Sequence, residues 1–174
     1  KSCTELINRT IEKAASEGGG TIYFPAGTYL TATIHMKSNI TLHLESGAIV
    51  RFSDRFEDYL PFVTARWEGT VMQTLSPLIY AHSADNLTIT GRGTLDGNGL
   101  KWWLWEFETR KVIKENGGKL PSLDKLQQMW VDANKDLEIS DYYKPSLERK
   151  MFRPPFIQFY ECTNILIENV KIIN

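Results

Sequence analysis

Apolar residues in this chain fall into short, similarly built runs, and the runs repeat. From Pro77 the sequence reads PLIYAHSADNLTITGRGTLD, and from Pro155 it reads PFIQFYECTNILIENVKIIN. The stretches align without a gap: Pro77 with Pro155, Ile79 with Ile157, Asn86 with Asn164, Ile89 with Ile167 and Leu95 with Ile173. An earlier stretch, IHMKSNITLHLESGAIV from Ile34 to Val50, follows the same plan with a shorter lead-in to Asn39. Each copy holds a short apolar strand, a polar turn ending in Asn, a strand alternating apolar and polar positions, and a third strand. One copy cannot bury its own apolar face, so the copies must stack on one another. The pattern predicts an all-β solenoid.

Other elements fall around the repeats. Ser2 and Glu5 have capping-box spacing, and Leu6, Ile7, Ile11, Ala14 and Ala15 form one apolar face. This predicts an amphipathic helix from about residue 3 to 17, stopped by Gly18, Gly19 and Gly20. Such a helix suits the role of a cap over the exposed first coil of a solenoid, although packing at its side is the alternative. TIYF, Pro25-Ala26-Gly27 and TYLT then read as strand, tight turn and strand. Asn39, Asn86 and Asn164 each sit just before a strand, where stacked carboxamides can bond the neighbours above and below. Asn39 and Asn86, with Asn8, also begin glycosylation sequons; for the first two the ladder is the favoured reading.

Two segments break the rhythm. Residues 54–76 carry Tyr59, Phe62 and Trp67 and show little strand pattern. Residues 97–154 are charged and Trp-rich, with a helical stretch expected around Leu123 to Ala133. Long insertions between solenoid turns emerge on one face and commonly shape its binding surface.

Bulk composition narrows the classes. The 174 residues are 42% hydrophobic and 24% charged, as in a water-soluble globular protein. Twenty Lys and Arg against 21 Asp and Glu give a net charge of -1, which offers no footprint for nucleic acid or an anionic membrane surface. No apolar run approaches the roughly 20 residues of a membrane span. The chain begins directly in its expected helix with no signal peptide, and a protein stripped of its leader would look the same, so this start says nothing of export. Cys3 and Cys162 lack the four-ligand company zinc requires, so no metal and no cofactor are expected. Free thiols are the favoured state and a bridge between them the lesser option.

The phrases GGGTIYFPAGTYLT, IHMKSNITLHLESGA, ARWEG, SPLIYA and ITGRGTLDGNG with WW after it occur here in one order, followed by RPPFIQFYECTNILIENVKIIN. Together they closely resemble the amino-terminal part of glycoside hydrolase family 28, the polygalacturonases and related pectin-backbone hydrolases. The resemblance covers about Ser16 to Gly99 and Arg153 to Asn174. It implies a right-handed parallel β-helix with the amino-terminal capping helix and a partly helical insertion. Residues 1–174 would then be the amino-terminal part of a single β-helix domain interrupted at about 97–154. The implied activity is hydrolysis of a pectic polysaccharide or oligogalacturonide with inversion, by a secreted or periplasmic enzyme. The long insertion would suit an exo-acting member whose cleft is blocked at one end.

Inverting hydrolysis needs two separated carboxyl groups, one to protonate the leaving oxygen and one to activate water. In this family they come from an Asn-Thr-Asp-Gly phrase and an Asp-Asp pair, joined by Gly-His-Gly and Arg-Ile-Lys. None of the four phrases occurs in these residues, so no catalytic residue is carried over. The expectation is that they belong to later coils and that these 174 residues alone are inactive. A non-catalytic, carbohydrate-binding solenoid of the adhesin or tailspike kind is the rival reading.

Candidate substrate contacts remain. Arg66 can meet a uronate carboxylate through its planar fork or pair with Glu68 nearby. Glu68, in the Trp67-Glu68-Gly69 phrase, is a candidate for the rim of a cleft. Trp102, Trp103 and Trp105, with Phe107, either stack on a pyranose or anchor the insertion. Arg110, Lys111, Lys114 and Lys119 form a basic run that a solvated helix face would explain. Asp85 and Asp96 read as turn residues, and His35, His43 and His82 lack a nucleophile or acid at a telling spacing.

Overall fold

The computed structural model describes residues 2–67, 69–118, 120–136 and 153–174. In chain order the elements begin with α1 (Thr4–Ser16), β1 (Gly20–Phe24), β2 (Gly27–Thr31), β3 (Ile34–His35), β4 (Ile40–Leu44) and β5 (Ala48–Phe52). A short 3-10 turn (Phe56–Tyr59) leads to β6 (Val63–Trp67) and β7 (Thr70–Thr74). Then come β8 (Ile79–His82), β9 (Asp85–Gly91), β10 (Thr94–Asp96), α2 (Leu100–Glu115) and α3 (Lys125–Asn134). The last three are β11 (Ile157–Tyr160), β12 (Thr163–Ile167) and β13 (Lys171–Ile173). They divide into two compact units: Lys1–Ser53 with Pro77–Asn98 and Pro155–Asn174, and Asp54–Ser76 with Gly99–Pro154.

The first unit is a stack of coils. Its sheets run β1-β4-β9-β12, β2-β5-β10-β13 and β3-β8-β11, and every pairing in them is parallel. Successive coils therefore lay the same strand on the same sheet, giving the parallel β-helix that the repeats call for. Alternation puts Ile40, Leu42 and Leu44 of β4 inward, in register with Leu87 and Ile89 of β9. Ala48, Val50 and Phe52 of β5 and Leu95 of β10 fill the adjoining side, and Ile34 and Ile79 close the third. Each such fully buried Leu or Ile contributes about 2 kcal/mol of transfer free energy, which no isolated coil could collect.

Turns between the strands are as regular as the strands. Asn39, Asn86 and Asn164 all adopt positive φ, at 63°, 58° and 54°, in the left-handed region that Asn tolerates through local bonding of its short side chain. Asn86 Nδ2 donates to Asn39 Oδ1 at 2.7 Å, and Asn164 Nδ2 donates to Asn86 Oδ1 at 2.6 Å, so the expected ladder is present. Gly91 marks the tightest passage. It sits at φ 116°, and a Cβ there would meet the Leu44 carbonyl oxygen at 2.0 Å. That close approach lets Arg92 and Gly93 donate backbone bonds to Leu44 O, at 2.8 and 3.1 Å.

Helix α1 matches its expected span, but its start differs. Cys3 is the N-cap, which moves Glu5 out of the position a capping box requires, and Ser2 Oγ accepts from the Thr4 amide instead, at 3.3 Å. The first turn is held by other bonds: Cys3 N donates to Leu30 O at 2.7 Å, and Thr4 Oγ1 accepts from Ala32 N at 2.7 Å. Asn8 then clips β3, with Nδ2 donating to Thr33 O at 2.9 Å and Oδ1 accepting from His35 N at 2.8 Å. Its carboxamide satisfies the groups that a further strand would have paired.

Register corrects one alignment. Leu95 pairs with Ile172, not Ile173, because the last coil turns from β12 to β13 with one residue fewer than Gly91-Arg92-Gly93 allows. The shortened turn absorbs the slip, so Leu95 and Ile172 stay on corresponding faces.

The second unit corrects the reading of residues 54–76. β6 and β7 form an antiparallel hairpin, with Val63 opposite Thr74 and Trp67 opposite Thr70. Gly69, at φ 92°, supplies the left-handed conformation its tight turn needs. Helix α3 begins slightly later than expected, with a capping box between Asp124 and Gln127. It joins the hairpin through buried Trp130, whose Nε1 donates to Gln73 O at 2.7 Å. Asn134 adds a two-way pair with the Gln73 backbone, each bond 2.9 Å long.

Candidate functional site

The candidate contacts among the described residues belong to the second unit, on two elements. Arg66 and Trp67 close strand β6 beside the hairpin turn, Arg66 exposed and Trp67 half-buried. Glu68 lies outside the described residues. Trp102, Trp103 and Trp105 lie on α2, which starts just after the Leu95-Asp96-Gly97-Asn98 turn.

Helical geometry sends the three tryptophans in different directions, and the two readings of the cluster separate accordingly. Trp102, 6% exposed, stacks on Phe56 with centroids 4.0 Å apart and meets Tyr59 edge-on at 5.6 Å. Trp105 is half-buried and edge-on to the same Phe56 ring, at 5.5 Å. Trp102 thus acts as an anchor, its face covered by Phe56, and Trp105 packs against the same ring. Trp103 is 57% exposed and lies nearly parallel to Phe107, itself 62% exposed, with centroids 5.9 Å apart. This pair is the open aromatic surface of the cluster.

Acids in the first unit serve the coils. Asp96 is buried; its Oδ1 accepts from the Asn98 amide and from Asn174 Nδ2, each at 3.0 Å. Its Oδ2 accepts from Arg51 Nε at 2.9 Å. Burial acts to raise its pKa, but the bonds from Asn174, Asn98 and Arg51, with the charge of Arg51, outweigh it and hold the carboxyl below its ordinary value. A carboxylate fixed by one donor of its own turn and by two from the adjoining coils is a clamp that holds the coils together. Asp85 accepts from Thr163 Oγ1 in the next coil.

Histidines follow the same logic, with one contact that sequence spacing concealed. His43 stacks on Tyr23 at 5.5 Å, and His35 meets Tyr80 edge-on at 6.0 Å. Desolvation first, then the Lys37 charge, lowers the His35 pKa. His82 Nε2 lies 3.3 Å from Glu161 Oε2, which also accepts from Ser83 Oγ at 3.3 Å. Glu161 stands 78 residues after Ser83, one coil on, so stacking makes neighbours of groups no local motif links. Ser83 bonds the acid and not the imidazole, so this cluster lacks the relay of a nucleophilic triad. Cys3 and Cys162 are free thiols, and no group of three or more metal-ligating side chains occurs among the described residues.

No protein-family model matches the chain. A probable polygalacturonase of Vitis vinifera is 32% identical over 99 residues, 53% of this chain and 20% of that protein. The exo-poly-alpha-D-galacturonosidase of Dickeya chrysanthemi is 32% identical over 107 residues, 56% of this chain and 18% of its own length. The crystal structure of an exopolygalacturonase from Thermotoga maritima aligns with all of this chain and 38% of that one, at 39% identity and a TM-score of 0.75. The chain thus spans about a fifth of the curated relatives it matches. In sequence and in parallel β-helix fold the chain is similar to part of these polygalacturonases.

Proposed function

We propose that this chain is part of a glycoside hydrolase of family 28, one that cleaves polygalacturonate or a related pectic polysaccharide with inversion. The observation that carries the reading is the 39% identity to the Thermotoga exopolygalacturonase across the entire chain, with a TM-score of 0.75. Residues 1–174 are read as the amino-terminal portion of a single β-helix domain. The substrate is an extracellular polymer, so the protein acts after export, as a secreted or periplasmic enzyme.

Within this portion the role is recognition. Trp103, with its open ring, is read as the tryptophan that stacks on a sugar, and exposed Arg66 as the arginine that meets a uronate carboxylate. Trp102 and Trp105 support the helix that presents Trp103. The acids that protonate the leaving oxygen and activate water are assigned to the rest of the protein, because the four family phrases are absent from these residues.

Incubating the whole protein with polygalacturonate and following new reducing ends tests the reading. Release of monomers or dimers supports exo action, and a ladder of mixed oligomers supports endo action. NMR of the first product formed must show the inverted anomer. Binding of oligogalacturonate without any hydrolysis would favour the non-catalytic solenoid instead.

A further inference from the structure

Helix α2 presents one outward face on which aromatic and cationic residues follow each other. Successive residues turn by about 100°, which brings Leu100, Trp103, Phe107, Arg110, Lys111 and Lys114 onto a single stripe. All six are exposed. The amino-terminal half of the stripe is apolar, with the parallel Trp103 and Phe107 rings at its centre. Its carboxy-terminal half carries three positive charges. Of the helix's acids, Glu106 is buried and accepts from Arg110 Nε at 2.6 Å, while Glu108 and Glu115 project about 90° or more from the stripe's centre. From Trp103 to Lys114 the face runs about 16 Å at 1.5 Å per residue, long enough for a few consecutive sugar units.

An exposed Trp and Phe costs solubility, and a solvated helix face has no need of them. Two flat rings followed by lysines match a ligand that offers both C–H faces and a regular series of negative charges. We infer that this face of α2 binds an anionic uronate chain, with Trp103 and Phe107 stacking on one pyranose and Lys111 and Lys114 pairing with carboxylates further along. Arg110 is partly neutralised by Glu106, so the two lysines carry the charge recognition. The inference rests on the pectic reading above and deepens it: it assigns a binding surface for the de-esterified polymer.

The test titrates the whole protein, in conditions where cleavage is too slow to deplete the ligand, with de-esterified α-1,4 oligogalacturonate, with its methyl ester, and with a neutral glucan oligosaccharide. The acid form is expected to bind, its affinity falling with added salt, and the ester and glucan to bind about tenfold more weakly or less. Lys111→Glu with Lys114→Glu, and separately Trp103→Ala, should each lower affinity about tenfold without moving the melting temperature. Lys111→Arg with Lys114→Arg should retain it. Unchanged affinity in the first two variants overturns the inference, as does equal binding of the ester. Light scattering that shows a dimer dissolved by Trp103→Ala overturns it as well, since the stripe would then seat a second copy. If both variants bind normally while the whole protein still cleaves polygalacturonate, this surface fails and the pectic reading stands. Neither binding nor cleavage would remove both.

Discussion

Single residues in this protein are chosen for backbone conformation as much as for contact. Asn86 combines a φ of 58° with a carboxamide that accepts from one coil and donates to another. The two contributions can be separated. Asn86→Gly keeps the left-handed turn and deletes both bonds, whereas Asn86→Ala deletes the bonds and also strains the backbone. The alanine variant should be the less stable by about 1 to 2 kcal/mol, read from urea unfolding of the pair. Equal stabilities would mean that the conformation adds nothing. Gly91 is stricter still, because any side chain there would begin with a Cβ 2.0 Å from Leu44 O. This kind of requirement is legible in sequence when it recurs: Asn39, Asn86 and Asn164 announced the ladder by position alone. The His82–Glu161 contact recurs nowhere in the sequence pattern and stayed hidden.

At the scale of elements, the capping helix shows how an edge is closed without another strand. β3 ends the sheet β3-β8-β11, and Asn8 answers Thr33 O and His35 N with one side chain. Replacing Asn8 with Ala leaves both groups unpaired, at a cost of about 2 kcal/mol. The His35 amide should then exchange with solvent markedly faster in hydrogen-exchange measurements, while the Leu42 amide, deep in β4, should keep its protection. Loss of protection at both alike would mean that Asn8 supports the whole fold and not the edge. The helix itself was readable from its apolar face and glycine stop. Its clip was not, because Asn8 looks like one more polar position on the solvent side. The β6–β7 hairpin was missed for a related reason: it lies outside the repeat, and its strands are five residues each. A pattern that occurs once gives no second copy to align.

At the scale of the whole chain, the stacked unit gains its stability coil by coil. Ile165, Ile167 and Ile172 of the last coil are exposed, although Leu87, Ile89 and Leu95, their counterparts one coil earlier, are fully buried. Parallel strands with open backbone groups and bare apolar side chains invite a further strand. The 174-residue chain in isolation should therefore self-associate or stay partly ordered at that end, as measured by sedimentation; a monodisperse monomer melting in one cooperative step would contradict this. Both intervening segments of the second unit, residues 54–76 and 99–154, depart from the column after corresponding strands, β5 and β10. The sheet made by β3, β8 and β11 nevertheless keeps its pairing, with Ile34, Ile79 and Ile157 aligned. Chain length is thus decoupled from core geometry at that one corner, which makes it the natural place for foreign recognition sequences to be grafted, by evolution or by engineering, without re-registering a single rung.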